Sequence, residues 1–411
     1  MEVGIIVKHK PDFQLFFITL CLVAFGLVMV YSSSMVYALQ VVGSSSSYFF
    51  RHQLLSAGIG LTGMFILMNV PPAFFNKHAR KITLVILLCL ILVLIPHVGH
   101  QSQNVRRWLG PPSLLFQPSE FSLLTILIYA SYIFAKRRDQ IHSFKKGVIP
   151  PFLMIGLQTF LILKEPDMGT SMLLLLSGLA VMFAAGIRFR HMAVLAAFLV
   201  PVLFLFIYMQ RYRAQRLLVF LHPFSPKYAN QGGYQLIQSF IAIYHGGWFG
   251  KGLGRGIQPF GYLPVPHADF IFAVIVEELG LVGAFAVLLA FSFFIWRGMK
   301  IATSLEDRFS SLLAIGIVSM ITWGVIINVG AVSGLLPVTG IPLPFISYGG
   351  TALIVKLWSV GILLSLSRYT RPLSLHGVER EASPIDFESM KMKQKRMRAR
   401  RQNNQQSAKR S

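Results

Sequence analysis

Acidic residues are scarce in this 411-residue chain: 15 Asp and Glu stand against 38 Lys and Arg, a formal net charge of +23. Charge of either sign is thin, at 13% of residues, where a soluble domain carries about 25%. So little charge leaves too few polar groups to cover a water-soluble globule of this length, and 54% of the residues are hydrophobic. Cysteine is nearly absent. Cys21 and Cys89 both fall inside apolar blocks, which excludes a disulfide framework or a CxxC metal motif; both are expected as small lipid-phase or core side chains. The period-two alternation of a transmembrane barrel is missing as well.

What is present is apolar sequence in blocks. Leu15–Tyr31 and Ile82–Pro96 each run without one charged residue. A bilayer core takes roughly 20 mainly apolar helical residues, and in lipid a backbone has to satisfy its own hydrogen bonds. The expected fold is therefore all-α, a polytopic membrane protein with about ten spans. They are placed near 14–33, 53–69, 82–97, 120–135, 147–163, 169–186, 190–209, 268–296, 308–331 and 346–367. The first block exceeds the apolar region of a cleavable signal peptide and reads as the first span. Basic connections at Lys77–Lys81, Lys136–Lys146, Arg188–Arg190 and Arg297–Lys300 alternate with poorer ones, which puts both termini in the cytoplasm. The expected layout is a cytoplasmic N-terminus at 1–13, a membrane domain at 14–368 and a basic, disordered cytoplasmic tail at 369–411. The tail's Lys391–Arg401 run suits lipid headgroups better than nucleic acid.

The connections 98–119, 164–168, 210–267 and 332–345 fall on the outer face. The longest, 210–267, carries Arg211, Arg213, Arg216, Lys227, Lys251 and Arg255, and 98–119 adds Arg106 and Arg107. Cations held outside against the charge bias point to an anionic ligand, although any single one also fits snorkelling to lipid phosphate. Four outer stretches stand out. In Phe116–Glu120, Ser119 fits a cap and Glu120 a first-turn anion, or both serve a site. Lys164–Thr170 is a charged tight turn between two spans, ordinary by its Pro, Asp and Gly but with ions at the hydrocarbon edge. In Tyr262–Glu278, Asp269 lies at the mouth of the eighth span, either as a cap or as a functional acid, and Glu277 and Glu278 follow about two turns deeper. Gly334–Gly350 is apolar but too rich in Pro and Gly for a regular helix, and reads as a re-entrant segment buried in protein. The Gly246–Gly256 run lacks P-loop spacing and reads as a flexible or tightly packed loop.

The motifs GLLPVTGIPLPFISYGG, PHADFIFAVIVEELG, QPSE, EPDMGT and GGYQLIQS together resemble the SEDS family (shape, elongation, division and sporulation), which includes FtsW, RodA and SpoVE. The resemblance runs from the first span to about Arg368. Glu165 in place of Gln before Pro-Asp is closer to the division and sporulation members. The chain departs from the family pattern at Leu123, Ala268 and Lys356, where Lys, Thr and an apolar residue are usual.

The resemblance implies a ten-span, inverting peptidoglycan glycosyltransferase in the bacterial cytoplasmic (inner) membrane. It would polymerise lipid II, an undecaprenyl-pyrophosphate-linked disaccharide peptide, for septal or spore-cortex wall synthesis. Partners would be a class B penicillin-binding protein, the transpeptidase, and divisome or related wall-synthesis proteins. Asp269 is the expected general base, since the family's corresponding Asp has that proposed role. Arg211, Arg216, Lys164 and Arg107 are the expected pyrophosphate or sugar contacts. Glu120, Asp167, His267 and Glu277 are expected as supporting residues. No dedicated metal-ligand cluster is visible; a divalent cation, Mg or Mn, is the one cofactor the pyrophosphate suggests. Two rival readings remain, a lipid II flippase, kept open by Lys356, Glu277 and Glu278, and a noncatalytic scaffold that recruits a wall synthase.

Overall fold

The computed structural model describes residues 9–102, 105–111, 115–208, 211–229, 232–257, 259 and 262–370. Met1–Tyr369 form one unit and Thr370–Ser411 a second, of which only Thr370 is among the described residues. The expected disorder of the tail thus falls outside them.

Ten long apolar helices carry the first unit. They are α1 (Phe13–Tyr37), α2 (Tyr48–Leu67), α3 (Pro72–Leu94), α4 (Pro118–Lys136), α5 (Ile149–Lys164), α6 (Met168–Ala184) and α7 (Phe189–Tyr208), followed after the long outer connection by α11 (Ile271–Thr303), α12 (Arg308–Val332) and α13 (Gly350–Ser367). Each overlaps one expected span. Six are long and apolar enough to cross a membrane: those within Phe13–Val42, Pro118–Lys136, Phe144–Lys164, Ile271–Thr303, Arg308–Val332 and Gly350–Ser367. Their starts follow local rules. Asp12 caps α1 by accepting from Leu15 N at 2.9 Å, and proline opens α3 and α4, where the missing N–H costs nothing. The start of α1 meets the end of α13: His9 N donates to Arg368 O and Asp12 N to Ser367 Oγ.

The burial pattern is that of a lipid-facing bundle. Phe17, Leu55, Leu84, Phe183, Phe198 and Leu289 are exposed, while Gln53, Gln158, Glu120, Lys356, Glu277 and Asn328 are buried. Cys21 is exposed on this apolar surface and Cys89 is half-buried, both unbridged.

Two outer connections hold more structure than the sequence reading gave them. The 98–119 segment forms an antiparallel hairpin of β1 (His100–Ser102) and β2 (Val105–Trp108). The 210–267 segment forms α8 (Arg211–Leu221), α9 (Pro226–Ala229) and α10 (Gly232–Gly246). These elements are short and amphipathic or charged, so no hydropathy block marks them. Ser119 does not cap α4: Gln117 holds the cap position, and its Nε2 donates to Ser119 Oγ at 3.0 Å.

The Gly246–Gly256 run is packed tightly. α11 breaks at Gly280 (φ 70°), and the run threads the break. Lys251 N and Gly252 N donate to the carbonyls of Glu277 and Glu278, while Leu281 N and Val282 N donate to Gly247 O and Trp248 O. Four backbone groups that a broken helix leaves open are thereby satisfied. A Cβ on Gly250 would lie 2.2 Å from Glu278 O, so only glycine fits that approach.

Candidate active site

The residues before α11 cannot enter the helix early, because Pro264 and Pro266 interrupt it. Three successive backbone carbonyls then fix the segment. Tyr348 N donates to His267 O at 2.9 Å, Ser347 Oγ to Ala268 O at 2.7 Å, and Asn328 Nδ2 to Asp269 O at 2.9 Å. Asn328 also holds Ile341 O, and Gln53 clamps Ser347 O and Gly349 N. The non-helical 334–349 stretch is thus the cradle of the 267–269 segment. Ile341, Leu343, Phe345 and Ile346 anchor it in the core.

With its backbone pinned, Asp269 presents its side chain. It does not cap α11; Phe270 holds the cap position without a side-chain bond. Among the described residues no donor hydrogen-bonds its carboxylate. Burial pushes that carboxyl above the usual range, and the Arg216 guanidinium is the chief opposing charge, with Asp167 and then Arg107 felt more weakly. Gly340 (φ 80°) faces it closely enough that a Cβ there would sit 3.5 Å from Asp269 Oδ2. Arg216 is aimed by its Nη1, which donates to Val338 O at 3.0 Å. It also lines a cavity of about 410 Å³ with Gln215, Tyr228, Tyr234, Gln235 and Pro264.

Asp167 and Arg107 complete the constellation. Asp167 caps α6 through Thr170 N at 3.1 Å and accepts from Gln117 Nε2 at 3.2 Å. Arg107, delivered by β2, lies 3.7 Å from Asp167 and donates to the carbonyls of Glu165 and Pro166. Under this turn lies Glu165, an acid of the charged Lys164–Thr170 stretch. It is 1% exposed, and among the described residues neither carboxyl oxygen is in hydrogen-bond geometry with a donor, although the Ser119 hydroxyl is close enough to oppose its shift. Burial, reinforced by the charge of Asp167, pushes its carboxyl up to about 9, so it is a neutral acid at pH 7. The charged turn was visible in sequence; which of its two acids points inward was not.

The other expected site residues lie elsewhere. Lys164 is exposed, with its ammonium 5.4 Å from the Phe160 ring centre, and does not join Asp269. Glu120 is spent on Lys356 at 3.0 Å. Glu277 bonds to the Gly-rich run, accepting from Ile257 N at 2.9 Å near Lys251 and His245. His267 sits in an aromatic box of Tyr37, Phe49 and Tyr348, where burial lowers its pKa to about 4; it packs the loop. The side chain of Arg211 lies outside the described residues. Among the described residues no group of three or more His, Cys, Asp or Glu is placed to hold a metal ion, so no step is routed through one.

A family model described as a cell cycle protein, spanning FtsW, RodA and SpoVE, matches residues 13–372. The chain belongs to the SEDS family. Stage V sporulation protein E of Bacillus subtilis is 40% identical over 89% of this chain and 99% of its own length. The probable peptidoglycan glycosyltransferase FtsW of the same organism is 39% identical over 93% of this chain and 96% of its own. Both are of the division and sporulation type that Glu165 suggested. A chain in a peptidoglycan synthase complex, solved for its coordination of polymerization and crosslinking, superposes with a TM-score of 0.71 at 26% identity, over 87% of this SEDS chain and 98% of that one. Thermus thermophilus RodA, at 24% identity and a TM-score of 0.63 over 88% of this chain and 98% of that one, shares the fold. With its lipid-facing apolar helices, this SEDS member is a multi-pass membrane protein.

Proposed function

We propose that this chain is a peptidoglycan glycosyltransferase polymerising lipid II at the outer face of the bacterial inner membrane, for septal or spore-cortex wall synthesis. The observation that carries the proposal is the presentation of Asp269: three pinned carbonyls, a carboxylate that no donor among the described residues bonds, and Arg216 facing it. The acceptor sugar's 4-hydroxyl attacks the anomeric carbon of the donor. The new C–O bond forms, the bond from that carbon to the pyrophosphate oxygen breaks with inversion, and Asp269 takes the hydroxyl proton. Arg216 and Arg107 answer the charge developing on the leaving pyrophosphate. A raised carboxyl makes Asp269 a stronger base, so the rate rises with pH through its ionisation.

All ten long helices cross the membrane in this reading, the 334–349 cradle is re-entrant, and residues 14–368 make the catalytic unit with a cytoplasmic tail at 369–411. Contact between the start of α1 and the end of α13 supports both termini on one side, here the cytoplasmic one. The synthase complex supports a class B penicillin-binding protein as partner. The flippase reading leaned on Lys356, Glu277 and Glu278, and each is paired inside the fold. The test is glycan formation from labelled lipid II by the purified chain with a class B penicillin-binding protein whose transpeptidase is blocked. Strands are expected. Their absence, where a known polymerase works, would contradict the proposal.

A further inference from the structure

Glu120 and Lys356 form an ion pair that the reaction above does not use. Nζ lies 3.0 Å from Oε2, and the two side chains are only 7% and 6% exposed. Two charges buried inside an apolar bundle are costly to place and are rarely kept without a role. Their position indicates one. Glu120 is the third residue of α4, and Lys356 lies in the second turn of α13. Immediately before α4, Gln117 reaches Asp167, which in turn faces Arg107. Immediately before α13, Ser347 and Tyr348 pin the backbone of Ala268 and His267, and so set Asp269. The Asp167–Arg107 half of the site therefore hangs on the outer start of α4, and the Asp269 half on the outer start of α13. The ion pair ties those two helix starts together just beneath the site.

We propose that Lys356 is a positioning residue for the polymerase: through Glu120 it fixes the spacing between Asp167–Arg107 and Asp269, and with it the grip on the sugar pyrophosphate. This role rests on the function proposed above. Contacts local to each loop hold the flanking segments, whereas this ion pair spans two helices and joins residues 236 apart in sequence. Loosening it shifts the two halves relative to each other without removing a group that touches substrate. The loss is then expected in binding more than in the chemical step.

The experiment is steady-state polymerisation of labelled lipid II by the full chain with its penicillin-binding partner, comparing wild type, Lys356→Met and the double variant Glu120→Gln/Lys356→Met. Lys356→Met is expected to raise KM about tenfold with kcat within about twofold. In the double variant no carboxylate is left unpaired, so the thermal unfolding temperature recovers while KM stays raised. A double variant with wild-type KM would make the pair structural only and overturn the proposal. So would an unchanged KM in Lys356→Met beside an active wild type. A wild type that makes no glycan overturns the proposed function, and this role with it.

Discussion

Two acid clusters in this bundle can be set side by side. Glu277 and Glu278 are buried where α11 breaks, and both carboxylates are bonded inside the fold: Ile257 N and Lys251 serve the first, Ser32 Oγ the second, and their own carbonyls take the N–H groups of Lys251 and Gly252. Asp269 lies two residues before α11 with its carbonyl bonded, no donor among the described residues on its carboxylate and an arginine facing it. Both clusters are acids near glycine and a cation in one stretch of sequence. One is bonded inside the fold, which is what architecture requires. The other keeps its bonding capacity for something that arrives.

The comparison is broken most sharply by neutralising the reserved acid. Asp269→Asn is expected to lower lipid II turnover by about 10²–10⁴-fold, the usual contribution of a general base, while the unfolding temperature in detergent holds or rises because a buried charge is gone. Next comes the knot around Gly280. Gly250→Ala places a Cβ 2.2 Å from Glu278 O at a φ of +75°, and is expected to cost about 3 kcal/mol of stability, read as a lower unfolding temperature and less folded protein. Turnover per folded molecule should fall far less than in Asp269→Asn. The third effect, read in pH and not in turnover, is at Glu165. Its carboxyl rises from 4.5 to about 9 on folding, so between those values the native state holds a proton that the unfolded chain releases. Stability therefore falls as pH rises through that window and levels above it. Glu165→Gln should flatten this slope by a few degrees of unfolding temperature and leave the acid limb unchanged.

How much of this was legible follows from where each signal lives. The ten long helices were visible because length and hydropathy are local properties, whereas the cap at Gln117 was not, since Ser119 is the better capping residue by type. The hairpin at β1–β2 and the helices α8 to α10 were not, since short amphipathic elements on an outer face leave no apolar block. Asp269 was legible from its motif and from its place at the mouth of a span. Its neighbours were legible only in part. Arg216, Arg107 and Asp167 converge with it, whereas Lys164 turns outward onto Phe160, a direction that helix phase alone did not give. The pairing of Glu120 with Lys356 joins residues 236 positions apart, and no spacing rule reaches that far. Glu165 was visible as a letter in a motif and a charge in a turn, but its burial is a property of the packed fold that neither gives.

The most direct test of the distinction between reserved and spent acids is lipid II turnover by Asp269→Asn and Glu277→Gln, measured per folded molecule in the same preparation with the penicillin-binding partner. Glycan synthesis lost in the first and retained in the second is the predicted result. Equal turnover in both, or synthesis lost only in Glu277→Gln, would contradict the assignment of Asp269 as the base.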